Sequence, residues 1–281
     1  MASNGILNAL SFDVEEYFQV SNYARAVPRE RWESIPSRLR FGMDAILALL
    51  RAADVKATFF VLGWIAERHS DFVRALAAEG HEIAAHGYDH RLVYDLGPAA
   101  FREDLARTLA ILKPLAGGAV AGYRAPSFSI TSRSLFAFRA LKEAGFAYDS
   151  SVFPVRHPRY GMPDAPRFIH EREEGIVEFP LTTVRALGRN LPVAGGGYFR
   201  LLPYAISARA IASVNREGEP AVLYLHPWEF DPAQPVVPGA GLSNRFRHRV
   251  NLARTGERLR RLLGDFAFGP VRETIARRRA P

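Results

Sequence analysis

Two histidines four positions apart are the first candidates for chemistry in this sequence. The segment HGYDH contains His86 and His90, and on a helical turn both imidazoles would share one face. Such a pair is a common way to provide two nitrogen ligands for one metal ion. The chain has no cysteine, so a metal site would have to use histidine and carboxylate ligands. An isolated pair is more often structural, and the metal interpretation therefore needs a third ligand.

Three carboxylates near the N-terminus are candidates for that ligand. Asp13, Glu15 and Glu16 lie at the end of the apolar run LNALSF. Residues two apart share a face of an extended strand, so Asp13 and Glu15 should point one way and Glu16 the other. We therefore expect Glu15 to be the metal carboxylate and Glu16 to form a cap or an ion pair, although a bend in the strand would reopen that choice. Two histidines and one carboxylate leave positions open for water and substrate, which is typical of a catalytic metal site.

Further polar residues stand at the ends of later strand-like runs. Arg124 ends AVAGYR, Asp149 follows FAY, and His226 follows VLYL. Each residue alone would usually be a turn former or a structural group. In folds with parallel strands, however, functional side chains gather at the carboxyl ends of the strands. Convergence of five such ends predicts a single active site.

The elements that would position these residues alternate along the chain. Strand-like runs are followed by segments with helical spacing, such as SRLRFGMDAILALLRAA, PAAFREDLARTLAILKPL and SRSLFAFRALKEAG. This alternation predicts an α/β fold with a mainly parallel sheet, either open or closed into a barrel. The triple glycine of residues 195–197 is not followed by Lys-Ser or Lys-Thr, so it is not a phosphate-binding loop.

Composition limits the possible partners. The 281 residues, 48% of them hydrophobic, suit one large domain. The net charge of +8 comes almost entirely from arginine, and no helix-turn-helix, zinc-finger or RNA-binding signature accompanies it. We therefore expect no nucleic-acid partner. No apolar stretch approaches the ~20 residues of a membrane span, and no signal peptide is visible, so the sequence predicts a cytoplasmic chain without a membrane span.

Taken together, the motifs resemble a known family. ATFFVLG, GHEIAAHGYDH, GYRAP, YDSS and LYLHPWEF are similar to the NodB-homology polysaccharide deacetylases, carbohydrate esterase family 4. SFDVEEYF and GGGYFRLLP resemble the exosortase-associated exopolysaccharide-locus deacetylases more closely. The resemblance covers residues 5 to 270, approximately. It implies a distorted (β/α) barrel of the NodB-homology type with about seven parallel strands. We expect one domain over residues 1–281, with a family-specific C-terminal extension from about residue 185.

The resemblance also implies an activity and the residues that perform it. The activity is metal-dependent hydrolysis of N-acetyl groups on amino sugars of a polysaccharide or its precursor. Asp13 matches the base that takes a proton from a water activated by the metal, and Arg124 matches the residue that orients this base. His226 matches the acid that protonates the leaving amine, and Asp149 matches its acidic support. A base with a low pKa and a histidine acid with a raised pKa suit these two roles.

The metal site departs from the family pattern at one position. His86 and His90 match the metal histidines, and the implied metal is usually zinc, with cobalt or nickel as alternatives. The family has a second aspartate directly after the base, whereas Val14 follows Asp13 here. The carboxylate ligand must therefore come from further along the chain, and Glu15 is our prediction.

The expected substrate is an N-acetylated polysaccharide or oligosaccharide. Ser127 stands where the family usually has an aromatic residue, and its backbone N–H could stabilise the tetrahedral oxyanion. Tyr198 and Trp228 could each stack on a sugar ring, or could simply pack in the interior. Two other functions stay open: a related amide hydrolase acting on peptidoglycan or a small cyclic amide, and a non-catalytic binding module. The presence of every catalytic residue disfavours the module.

Overall fold

A curled sheet of mostly parallel strands is the framework of the protein. The computed structural model describes residues 5–193 and 195–280. Its strands are β1 (Asn8–Val14), β2 (Thr58–Val61), β3 (Glu82–Ala85), β4 (Gly122–Tyr123), β5 (Tyr148–Asp149), β6 (His170–Glu171), β7 (Val177–Glu178), β8 (Thr183–Ala186), β9 (Arg189–Pro192), β10 (Val222–Leu225) and β11 (Phe268–Gly269). The main sheet has the order β10-β1-β2-β3-β4-β5-β7-β6, and β11 pairs with the start of β1.

The strands from β10 to β7 in this order are all parallel, and β6 pairs with β7 in the antiparallel sense. The gap between β7 and β10 is bridged by the Thr182 hydroxyl, which accepts from the Val222 N–H at 2.6 Å and donates to the Val222 carbonyl at 3.0 Å. Gly195 adds a parallel bridge to Tyr224. The result is a half-barrel, and it confirms the predicted distorted (β/α) barrel with about seven parallel strands.

Helices cover the outer side of the sheet. They are α1 (Leu39–Ala53), α2 (Gly63–Arg68), α3 (Ser70–Ala78), α4 (Val93–Leu112), α5 (Phe136–Glu143), α6 (Gly196–Leu201), α7 (Tyr204–Arg216), α8 (Leu242–Arg249), α9 (Thr255–Asp265) and α10 (Val271–Arg279). Helix α1 shows the underlying pattern, because Leu39, Met43, Ile46 and Leu50 are buried at helical spacing. Within the described ranges, none of the helices is long and apolar enough to cross a membrane.

Side-chain alternation along β1 determines which residues face the interior of the half-barrel. Leu10, Phe12 and Val14 join the large apolar cluster that includes the helices, whereas Ala9 joins a second, inner cluster. Asp13 has the parity of Ala9 and therefore faces inward. The apolar run VEFPLTTV contributes to two strands, β7 and β8, and Pro180, which cannot donate a ladder hydrogen bond, lies between them.

Candidate active site

Three buried side chains meet beyond the carboxyl ends of β1 and β3. Glu15, His86 and His90 each offer one ligand atom, and these atoms lie within 4.8 Å of one another. Nε2 of His90 is 2.9 Å from Oε2 of Glu15. The structure thus brings together the two histidines and the carboxylate that were predicted from the sequence.

The histidine pair is not on a helical turn, which corrects the geometry expected from the four-residue spacing. His86 follows β3, and the chain then turns through Gly87 at φ +73° and His90 at φ +59°, both in the left-handed region. Two backbone hydrogen bonds of 2.9 Å, from Gly63 N–H to Gly87 and from Trp64 N–H to Tyr88, tie this loop to the start of α2. The loop, rather than helical periodicity, positions both imidazoles.

The ligand atoms suit a divalent cation. Nδ1 of His86 donates to the Arg124 carbonyl at 2.8 Å, so its Nε2 presents a lone pair. Oε2 of Glu15 is buried and receives no hydrogen bond from the described residues, although His90 lies beside it. Burial lowers the pKa of His86 to about 4. For Glu15, burial raises the pKa, but the neighbouring histidines outweigh that effect and bring it to about 2. Both groups are thus in their metal-binding form at neutral pH.

Asp13 lies next to this group and is held by a buried arginine. Its Oδ1 accepts a hydrogen bond from Nη1 of Arg124 at 2.7 Å. The Arg124 guanidinium is fully buried, donates also to Ser11 and to the Ser150 carbonyl and hydroxyl, and lies 4.0 Å from the centre of the Phe60 ring. These contacts fix the guanidinium, which in turn fixes one oxygen of the carboxylate and leaves Oδ2 facing the site.

His226 faces the same space from the end of β10. Its Nε2 is 3.6 Å from Oε1 of Glu15 and 4.0 Å from Oδ2 of Asp13. Its Nδ1 donates to Oε1 of Glu229 at 2.5 Å. Burial lowers the pKa of His226, but the hydrogen bond to Glu229 and the three surrounding carboxylates raise it overall to about 9. His226 is therefore protonated at neutral pH, and its Nε2 is directed at the carboxylates of Asp13 and Glu15.

Asp149, predicted to support His226, contacts other residues. It accepts from the Ser151 hydroxyl at 2.6 Å and the Ser151 N–H at 3.1 Å, and it pairs with Glu178. Burial and the nearby Asp149 charge raise the pKa of Glu178 well above its usual range. The partner of His226 is instead Glu229. The signal for Glu229 was its position three residues after His226 in HPWEF, which puts both on one side of the 3-10 helix Pro227–Phe230.

Glu229 is itself held by a second buried arginine. Arg200 Nε donates to Oε2 of Glu229 at 3.1 Å, and both side chains are at most 2% exposed. The remaining guanidinium hydrogens reach carbonyls of Arg247, His248 and Val250. A Cβ at Gly196 would lie 2.0 Å from both Glu229 oxygens, so only glycine permits this approach. Gly196 of the triple glycine thus allows Glu229 to lie close enough to contact His226. The sequence pattern of the three glycines did not predict this role.

Trp228, predicted to stack on a sugar ring, is packed instead. Its ring lies between His226, at 5.0 Å, and His248, at 4.0 Å, and both pairs are stacked. Its indole N–H donates to Oε1 of Glu15 at 3.2 Å. Stacked on two imidazoles and only 9% exposed, Trp228 packs in the interior, which is one of the two roles that its sequence left open.

The other two predicted substrate contacts lie at the rim of the site. Ser127 is partly exposed, has φ +51°, and its hydroxyl is 2.6 Å from that of Ser21. Tyr198, on α6, is partly exposed and contacts Tyr160 in the wall of a neighbouring cleft. Both residues are accessible to a substrate.

Glu16 is separated from the metal ligands. Its carboxylate accepts from the Arg38 N–H at 3.0 Å and from the Ser37 hydroxyl. These contacts place it at the N-terminus of α1, where the helix dipole favours a negative charge.

Parts of this chain match two protein families and several curated proteins. Residues 35–148 match the polysaccharide deacetylase family, and residues 150–276 match a domain of unknown function, DUF3473. The chain is 38% identical over 90 residues to the peptidoglycan-N-acetylglucosamine deacetylase of Bacillus cereus (32% of this chain, 33% of that protein). It is 31% identical over 113 residues to the peptidoglycan deacetylase of Helicobacter pylori (40% of this chain, 37% of that protein). The matched region is about a third of each relative's length.

The fold is also found in solved structures. A provisionally assigned polysaccharide deacetylase from Mycobacterium smegmatis superposes with a TM-score of 0.62 at 20% identity, covering 99% of this chain and 93% of that one. The solved structure shows the fold, and the sequence matches show that part of the chain, residues 35–148, is similar to polysaccharide deacetylases. Strands of both matched regions share one sheet, and the predicted boundary of the extension near residue 185 stays a prediction.

Proposed function

We propose that this protein is a metal-dependent hydrolase that removes N-acetyl groups from amino sugars of a polysaccharide or its precursor. One observation carries the proposal. The group Glu15, His86 and His90 lies beside a carboxylate base, Asp13, and a histidine acid, His226. Families of related sequence include deacetylases of N-acetylglucosamine in peptidoglycan, as the name of the Bacillus cereus relative states.

Glu15, His86 and His90 would hold the metal, for which zinc is the first candidate and cobalt or nickel the alternatives. Bound there, such an ion would lower the pKa of a water molecule far below its value in bulk solvent, to about 7, and polarise an acetyl carbonyl. Asp13, held by Arg124, accepts the proton that the attacking water loses. Because Arg124 occupies Oδ1, the free Oδ2 is the atom that receives this proton.

His226 supplies the proton that the leaving amine needs. Its Nδ1–H is committed to Glu229, so the Nε2–H is the one that can be donated when the C–N bond breaks. Acetate and the free amino sugar are then the products. Arg200 holds Glu229 in place, and it is therefore a positioning residue for His226.

At the rim, the backbone N–H of Ser127 would contribute to oxyanion stabilisation, and Tyr198 would contact the sugar. The resemblance of SFDVEEYF and GGGYFRLLP to exosortase-associated deacetylases supports an exopolysaccharide substrate. Peptidoglycan is the second substrate class, because it is named for the relatives. The match covers about a third of each relative. Activity on defined substrates distinguishes the two substrate classes.

The deciding experiment measures acetate release from N-acetylglucosamine oligomers, acetylated exopolysaccharide and peptidoglycan. We expect release to be abolished by a chelator and restored by zinc or cobalt. A His86→Ala/His90→Ala variant should be inactive, and a His69→Ala/His170→Ala variant, which changes two histidines away from the site, should be active. Undiminished release by the first variant would overturn the proposal.

A further inference from the structure

A large cleft rich in arginine opens beside Tyr198. It has a volume of about 900 Å³ and lies between the segment of residues 154–168 and the hairpin β8–β9. Its charged lining consists of Arg156, Arg167, Arg185, Arg189 and one carboxylate, Asp164. We call this space the arginine cleft. Of the residues that line the cleft, the function proposed above involves Tyr198 alone.

Most of the positive charge in the arginine cleft is not neutralised by the protein. Arg167 is paired with Glu217 at 2.8 Å. In contrast, Arg156, Arg185 and Arg189 make no ion pair within residues 5–193 and 195–280, and all three are exposed. Guanidinium groups that converge in a concave site attract oxyanions and bind them through paired N–H donors. The cleft is therefore complementary to negative charge.

Hydrogen bonds hold the walls of the cleft in place. Asn190 Nδ2, on the hairpin, donates to the Pro154 carbonyl at 2.9 Å. Arg167 donates to the Thr183 carbonyl at the start of β8, also at 2.9 Å. These links join the hairpin to the opposite wall, so the arginines stand on a supported scaffold.

Aromatic side chains connect the arginine cleft to the catalytic residues. Tyr160 and Tyr198 line the cleft, and the Tyr160 ring stacks on His157 at 3.7 Å. Tyr160 also packs on Phe128 at 6.0 Å, Phe128 lies 4.7 Å from the Tyr224 ring, and Tyr224 lies 5.7 Å from His226. Phe128 is buried, whereas Tyr160, Tyr198 and Tyr224 are partly exposed, so the packed rings join the wall of the cleft to the end of β10 where His226 lies.

From this arrangement we infer that the substrate carries an oxyanion next to the acetylated sugar, and that the arginine cleft binds it. This inference rests on the proposed function and narrows its substrate class to anionic saccharides. The shared chemistry is an oxyanion on a sugar, and its source is either the carboxylate of a uronic acid in a polymer or the diphosphate of an activated sugar precursor.

The test compares kcat/KM for three probes: an N-acetylglucosamine trimer, an oligomer alternating N-acetylglucosamine and glucuronic acid, and uridine diphosphate N-acetylglucosamine. We expect an Arg156→Gln/Arg185→Gln/Arg189→Gln variant to lose about tenfold in its preference for an anionic probe over the neutral trimer. The anionic probe whose preference falls identifies the source. A matched Arg74→Gln/Arg260→Gln/Arg272→Gln variant removes the same charge outside the cleft and should retain the preference.

A binding measurement separates this inference from the proposed function. Calorimetric titration of both anionic probes into an Asp13→Asn protein, at low and high salt, needs no turnover. Loss of binding in the cleft variant alone supports the arginine cleft as an anion site, even if no deacetylation is found. Equal binding by the cleft variant and the matched variant, or an unchanged probe preference, would overturn the inference while leaving the proposed function intact.

Discussion

Residues 5–149 and residues 150–280 contribute to the site in different ways. The first region supplies the proposed metal ligands together with Asp13 and Arg124, which stand at or just beyond the ends of parallel strands. The second supplies His226 at the end of β10, and it adds Glu229, Arg200 and the arginine cleft from short helices and loops. Parallel strands therefore bring the central groups of the candidate site together, whereas irregular segments hold the Nδ1 side of His226 and form the cleft.

The largest effects are expected in the first region, where Asp13 and Glu15 can be separated by role. Asp13→Asn should reduce kcat by about a thousandfold with the metal retained, because only proton transfer is lost. Glu15→Gln should reduce metal content together with activity. Kinetics and elemental analysis of the same preparations check both expectations. Metal loss in Asp13→Asn with retention in Glu15→Gln would show that the roles are exchanged.

The buried Arg200–Glu229 pair should give the next largest effect. Arg200→Met leaves His226 as the remaining cationic partner of the buried Glu229 carboxylate, which should cost about 3 kcal/mol of stability. It should also lower kcat more than it changes KM, because His226 loses its fixed orientation. Denaturant unfolding and steady-state kinetics measure the two effects.

An Arg200→Lys variant should recover part of kcat, and Arg200→Met/Glu229→Gln should be less destabilised than the sum of its single variants. Additive losses of stability, or loss of bound metal in the single variants, would contradict a role through Glu229.

A smaller and more local effect tests the triple glycine. Gly196→Ala puts a methyl group against both Glu229 oxygens, at a cost of about 1–3 kcal/mol, and should lower kcat while leaving metal content unchanged. Gly197→Ala is the matched control, because a Cβ there meets nothing within 4 Å. Thermal unfolding and acetate release should distinguish the two variants; identical behaviour would argue against the close approach.

The smallest effect concerns the loop that carries His86 and His90. Asp104, on α4, accepts from the Tyr88 N–H of that loop, and burial raises its pKa to about 6. A carboxyl whose pKa is higher in the folded state stabilises the fold below about pH 4, and this contribution disappears as the pH rises through 6. Solvent screening limits the change to about 1 kcal/mol. In an Asp104→Asn variant, the free energy of unfolding should depend less on pH between pH 4 and 7. Denaturant unfolding at several pH values measures this dependence, and an unchanged pH profile would contradict the expectation.

Much of the first region was predictable from the sequence. Hydrophobic runs alternating with helical spacing indicated a parallel sheet, and carboxyl-end polar residues indicated where the site would lie. The two-residue period of β1 separated Glu15 from Glu16, because both follow a regular, fully buried strand. The helical geometry assumed for His86 and His90 was wrong, since local spacing does not reveal that a left-handed turn can bring the same two residues together.

The second region was predicted less well. Asp149 and Glu229 are both acidic residues near the site, and only the chain path decides which one reaches Nδ1 of His226. Trp228 was equally ambiguous, because an indole that packs between two imidazoles has the same sequence signature as one that binds a sugar. The role of Gly196 depends on Glu229, which is 33 residues away in the sequence and adjacent in space.

By itself, the sequence determined the α/β framework, the inward face of β1 and the choice of Glu15, His86 and His90 as proposed metal ligands, because these follow from short-range periodicity and residue chemistry. The tertiary structure alone decided which carboxylate supports His226, which arginine holds that carboxylate, and where unpaired arginines converge. Those relations join residues far apart in the chain, and their geometry depends on loops whose path is set by packing rather than by local pattern.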